Sequence, residues 1–126
     1  MLKIILTKKN ELLNMINYNN KIFRPIVNSE NGETSNDTVF MYKQVGDILT
    51  SEYSGGNIVK GNLLGIVDKY GNINMVYHQI NDKNQIMTGK CISQPEILEN
   101  GKIRLFENWE WTSGDYSKGQ STIEEQ

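Results

Sequence analysis

Glu107 is the residue whose surroundings most invite chemistry. It falls in step with Ile103, Leu105, Trp109 and Trp111 along one alternating stretch, with Arg104, Asn108 and Glu110 on the other side. With that apolar face turned inward, a carboxylate is enclosed among large apolar side chains. Such a group must be hydrogen-bonded, paired with a cation, or raised in pKa. The structural expectation is that a Tyr hydroxyl or an arginine such as Arg24 satisfies it. The functional expectation is that it lines a pocket and binds or titrates with a ligand. Glu124, Glu125 and Asp115 are the candidates for a second carboxylate opposite it, which glycoside hydrolysis would require.

The other reactive side chains are isolated. His78 is the only histidine, and alternation points it away from Tyr77, toward solvent. A general base needs a proton donor within hydrogen-bond reach, and no Ser, Cys or Asp near His78 in sequence offers one. Cys91, the only cysteine, sits in an apolar stretch and reads as a small buried hydrophobe. One His and one Cys show no metal-ligand spacing, so neither a metal nor a cofactor is expected. Trp109 and Trp111 share a face. They close one end of a core, stack on a planar ligand, or, if that face is external, form a dimer contact.

What must position these residues is a series of short strands. Gly, Asn and Asp clusters recur at Asn31-Gly32, Gly46-Asp47, Gly55-Gly56-Asn57, Gly71-Asn72, Asp82-Lys83-Asn84, Asn100-Gly101 and Ser113-Gly114-Asp115. Each reverses the chain by permitting positive φ. Seven reversals predict eight strands, near 21–28, 37–44, 48–54, 57–67, 73–80, 85–94, 102–112 and 118–124. Short connections make neighbours antiparallel, and closure would remove two exposed edges. The predicted fold is therefore all-β: an antiparallel up-and-down meander of about eight strands, closed as a lipocalin-like or streptavidin-like barrel.

The barrel domain is expected over 21–126, with 1–20 as an N-terminal extension. Within the extension, Leu2–Leu6 could add a strand and Glu11–Ile16 a turn of helix. Alternation sends Leu49, Ser51 and Tyr53 inward from the third strand. From the fourth it sends Val59, Gly61, Leu63, Gly65 and Val67, from the fifth Ile73, Met75 and Tyr77, and from the sixth Met87, Gly89, Cys91 and Ser93. An eight-stranded barrel is either just filled or holds one small ligand. The expected ligand-binding residues are Tyr53, Tyr77, Ser93, Glu107, Trp109 and Trp111.

Composition narrows the partners. The 126 residues make one domain, with eleven glycines against two prolines. A net charge of −2 and a longest basic run of Lys8-Lys9 argue against nucleic acid. No stretch reaches the roughly 20 apolar residues of a membrane-spanning helix, and the apolar start ends at Thr7 without a small-residue cleavage site. A lone thiol suits a reducing compartment, so a cytoplasmic location is expected.

Several segments carry a family likeness. They are Tyr53-Ser54-Gly55-Gly56, Gly61, Gly65, Tyr77-His78-Gln79, Cys91-Ile92-Ser93, Pro95 through Leu105, Glu107, Trp109 through Asp115, and Ser117-Lys118-Gly119. Together they resemble a family of short bacterial proteins often labelled "N-acetylglutamate synthase", over nearly everything from about residue 17 onward. The label implies acetyl transfer, which needs a Gln/Arg-x-x-Gly-x-Gly/Ala loop opening a helix to hold acetyl-CoA. Gln44-Val45-Gly46 has the wrong spacing, and no helix follows it. The expected function is instead non-enzymatic binding of a small apolar or aromatic ligand. The alternatives are an enzyme using Glu107 as acid or base, and an interaction module with a filled barrel, including a homodimer.

Overall fold

The computed structural model describes residues 16–126. The expected strand at Leu2–Leu6 and the turn of helix beginning at Glu11 lie outside the described residues. Eight strands follow: β1 (Ile22–Asn28), β2 (Val39–Val45), β3 (Ile48–Gly55), β4 (Ile58–Val67), β5 (Ile73–Asn81), β6 (Ile86–Ile97), β7 (Ile103–Trp111) and β8 (Lys118–Glu125). Each pairs antiparallel with its neighbours in chain order, and β1 pairs with β8 to close the barrel. The predicted strands match these within a few residues. Turn chemistry is the reason: Gly71 adopts φ 82° between β4 and β5, and Asn84 φ 57° between β5 and β6.

The inner faces build two unlike halves. At one end, Tyr18, Phe23, Leu49, Ile73, Leu105 and Ile123 are all at most 1% exposed and make a solid plug. Tyr18 donates its hydroxyl to the Gly71 carbonyl at 2.5 Å, so the barrel's packing reaches back into the segment predicted as an extension. Toward the other end the lining becomes aromatic and polar, with Phe40, Tyr53, Trp109, Trp111, Gln79 and Asn81 buried there.

Alternation is kept on β3, β5, β6 and β7, but β4 departs from it. A bulge between Ile58 and Lys60 shifts its pairing with β5. Ile58 is buried at 2% and Val59 turns outward, so the expected inward Val59 is corrected while Gly61, Leu63, Gly65 and Val67 stay inside. The ladder between β1 and β2 is short, pairing Ile22 with Met41 and Phe23 with Phe40. Beyond that pair β1 keeps only its β8 partner, and residues 29–38 make the connection to β2. On the outside, Ile48 lies opposite Ile66 and Leu64 opposite Val76, all more than half exposed.

Candidate functional site

The aromatic half of the barrel encloses a cavity. About 490 Å³ is unfilled, open solvent at the mouth included, of which about 60 Å³ can seat the centre of a water molecule. That inner space suits a few waters, or one end of a ligand whose other end leaves by the mouth. Six aromatic side chains line it: Phe40, Tyr42, Tyr53, Tyr77, Trp109 and Trp111.

Three of these rings lie across a glycine on the adjacent strand. Tyr53 faces Gly61, Tyr77 faces Gly89 and Trp109 faces Gly119. A Cβ on those glycines would stand 2.2 Å, 2.4 Å and 2.2 Å from the respective rings. The missing side chains are what let the rings lie flat against the wall and leave the centre open.

Glu107 stands on β7 at the inner end of the cavity, with part of its surface facing that space. Ser93 from β6 donates to Oε2 at 2.8 Å and Ser121 from β8 donates to Oε1 at 2.9 Å. The Cys91 thiol approaches Oε2 at 3.9 Å. Both expected partners are corrected: the donors are serine hydroxyls, and Arg24 is exposed on the outer face. Small hydroxyls fit because the register sets Ser93 and Ser121 directly beside Glu107 on its two neighbouring strands. Desolvation raises the carboxyl's pKa, against the lowering effect of the Ser93, Ser121 and Cys91 hydrogen bonds.

The raised pKa has a definite sign. A carboxyl shifted upward in the folded state contributes stability that is fully present below its unfolded value and is lost as pH rises through the folded value. Glu107→Gln is expected to remove that dependence. Its stability relative to the unsubstituted protein should rise as pH climbs from the ordinary value of 4.5 toward the shifted one. Denaturation midpoints across that range check it, and a difference independent of pH would contradict it.

A second polar cluster stands at the mouth. Tyr53 donates its hydroxyl to Gln79 Oε1 at 2.7 Å, and Gln79 Nε2 donates to Glu33 Oε1 at 2.9 Å. Asn81 Nδ2 donates to Glu33 Oε2 at 2.7 Å. The loop is held again where the Trp111 indole N–H donates to the Asn31 carbonyl at 3.0 Å. Two buried polar atoms on cavity-lining residues find no partner among the described residues: the Tyr42 hydroxyl and Asn28 Oδ1.

All six expected binding residues converge on this barrel half, with Tyr53, Tyr77, Glu107, Trp109 and Trp111 at the cavity and Ser93 behind Glu107. Trp109 and Trp111 pack edge to face at 5.6 Å inside the barrel, which corrects their reading as an external dimer contact. The expected second carboxylates do not oppose Glu107. Glu124 pairs with Arg104 at 3.2 Å, Glu125 pairs with Lys21 at 3.4 Å, and Asp115 caps an exposed turn. Glu33 is the second carboxylate, from a loop that carries no periodic signal. Gln79 and Asn81 continue the Ile73, Met75, Tyr77 alternation, and Phe40 and Tyr42 alternate on β2, so period 2 could have found all four.

His78 is exposed on the outer face. Burial, and then the Glu107 charge, push the Cys91 thiol well up and keep it protonated. Among the described residues no three of His, Cys, Asp and Glu come together as a metal site, and no helix is long and apolar enough to cross a membrane. Gln44 lies at the β2–β3 turn, where its amide donates to the Gly46 carbonyl at 2.9 Å.

The sequence matches the family model described as "Avidin-like protein" over residues 16–126. The chain belongs to the avidin-like family. The match spans the whole described avidin-like barrel, from the approach to Tyr18 through β8. Neither the curated proteins nor the solved structures return a match.

Proposed function

We propose that the protein is a non-enzymatic binder of a small molecule, which enters the open end of the barrel. Its apolar or aromatic body stacks against Trp109, Trp111 and Tyr77, and its polar end points toward Glu107. The observation that carries this reading is the Tyr42 hydroxyl, buried without a protein partner on a residue that lines the cavity. A buried polar group left unsatisfied costs about 1–3 kcal/mol. Retaining one beside an aromatic cavity makes sense where a ligand completes its hydrogen bonding.

Tyr42→Phe separates the two roles. The variant is expected to unfold at or above the temperature of the unsubstituted protein, because it deletes an unsatisfied hydroxyl. It should also lose most of the melting-temperature rise produced by a neutral ring amide such as benzamide. Equal stabilisation of both proteins by benzamide would count against the pocket reading.

The enzymatic reading of Glu107 has less support. Serine hydroxyls occupy both carboxyl oxygens, and no histidine orients a nucleophile there. The homodimer is proposed on the outer strip formed by Ile48, Ile66, Leu64 and Val76, since the tryptophan pair faces inward. Sedimentation should give twice the chain mass, and a monomer at all concentrations would remove this reading.

A further inference from the structure

Charge is distributed one-sidedly around the cavity. Glu33 and Glu107 line it, and among the described residues no Lys, Arg or His does. Neither carboxylate joins an ion pair among the described residues, where the acidic partners are Glu96, Glu110, Glu124 and Glu125. Their hydrogen bonds come from neutral groups: the side-chain amides of Gln79 and Asn81 for Glu33, and the hydroxyls of Ser93 and Ser121 for Glu107. Neutral donors offset desolvation but leave the charge uncompensated.

Three further features point the same way. Asn28 Oδ1 is a buried acceptor with no partner, its Nδ2 being taken by the Thr34 carbonyl and hydroxyl. The Tyr42 oxygen, also unpartnered, can accept an N–H as well as donate. Six aromatic rings line the space, and the negative quadrupole of an aromatic face attracts a cation placed over it.

We propose that the cavity selects an organic cation: a protonated amine or amidinium on a small apolar body, its N–H groups directed at Glu107 and the Asn28 oxygen. This rests on the small-molecule reading above and specifies the ligand's charge. A cation supplies the countercharge the lining lacks and donates charge-assisted hydrogen bonds to it. An anion meets two carboxylates with no base to receive it. A neutral ligand fills the space but leaves both charges unanswered.

Three probes of nearly one shape test the assignment by calorimetric titration of the full chain: benzamidine, benzamide and benzoate. Benzamidine is expected to bind roughly tenfold or more tightly than benzamide, as one charge-assisted hydrogen bond implies, and benzoate not at all. Glu107→Gln and, separately, Glu33→Gln should each reduce that preference. The second substitution lies in a loop and keeps the test open if the first disturbs folding. Benzamide binding as tightly as benzamidine, or benzoate binding comparably, overturns the cation assignment while leaving the pocket reading standing. Failure of all three to bind overturns both. Benzamidine binding unchanged in both variants places it outside this cavity and also overturns the assignment.

Discussion

Replacing Trp111 by alanine is expected to lower the unfolding free energy by about 3–5 kcal/mol, the usual cost of deleting a large buried aromatic. The side chain is 4% exposed. Its ring packs edge to face with Tyr77 at 5.9 Å and with Trp109 at 5.6 Å, so removal strips two neighbours of contact as well as opening a void. It also takes away the indole N–H that holds the Asn31 carbonyl, and with it a tie on the loop between β1 and β2. Trp111→Phe keeps most of the ring and loses only the tie, so it should cost markedly less. Denaturant midpoints with unchanged slopes would measure both. A loss below about 1 kcal/mol for the alanine variant would show that the ring is not part of the core.

The second large effect is expected at the opposite end of the barrel. Tyr18→Ala should also cost about 3–5 kcal/mol, by analogy with other buried aromatics. Tyr18 is fully buried against Phe23 and Tyr42, with ring centroids 6.2 Å and 6.1 Å away. Tyr18→Phe isolates the polar part. It removes the hydrogen bond to the Gly71 carbonyl and should cost about 1 kcal/mol. If Tyr18→Ala melts like the unsubstituted chain, this residue does not seal the barrel.

These two residues illustrate what was legible in the sequence. Trp111 could be placed because it lies on a strand, where a period of two determines which side chains share a face. The same rule set Tyr53, Tyr77, Ser93, Glu107 and Trp109 at this end of the interior, and the turn residues set the number of strands. Tyr18 could not be placed that way. It precedes the first strand in a segment without alternation, and its burial depends on a contact with Gly71, fifty-three positions away.

Glu33 was hidden for the same reason, since only the folded loop brings it to Gln79 and Asn81. Val59 failed differently: the alternation was present, but a bulge moved the pattern by one residue. For Glu107 the sequence presents every hydroxyl and every arginine as an equal partner, and only strand register selects Ser93 and Ser121.

The glycines behind the aromatic rings carry a consequence for how this pocket can change. Gly61, Gly89 and Gly119 are not among the residues that line the cavity, yet each decides how far a neighbouring ring can retreat from it. The calibre of the site is thus governed from a layer that no bound molecule would touch. A single methyl added at any of the three would advance one ring and narrow the bore while leaving every ligand-facing residue chemically unaltered. In a small-molecule binder, size selectivity and chemical selectivity would then be set at separate positions.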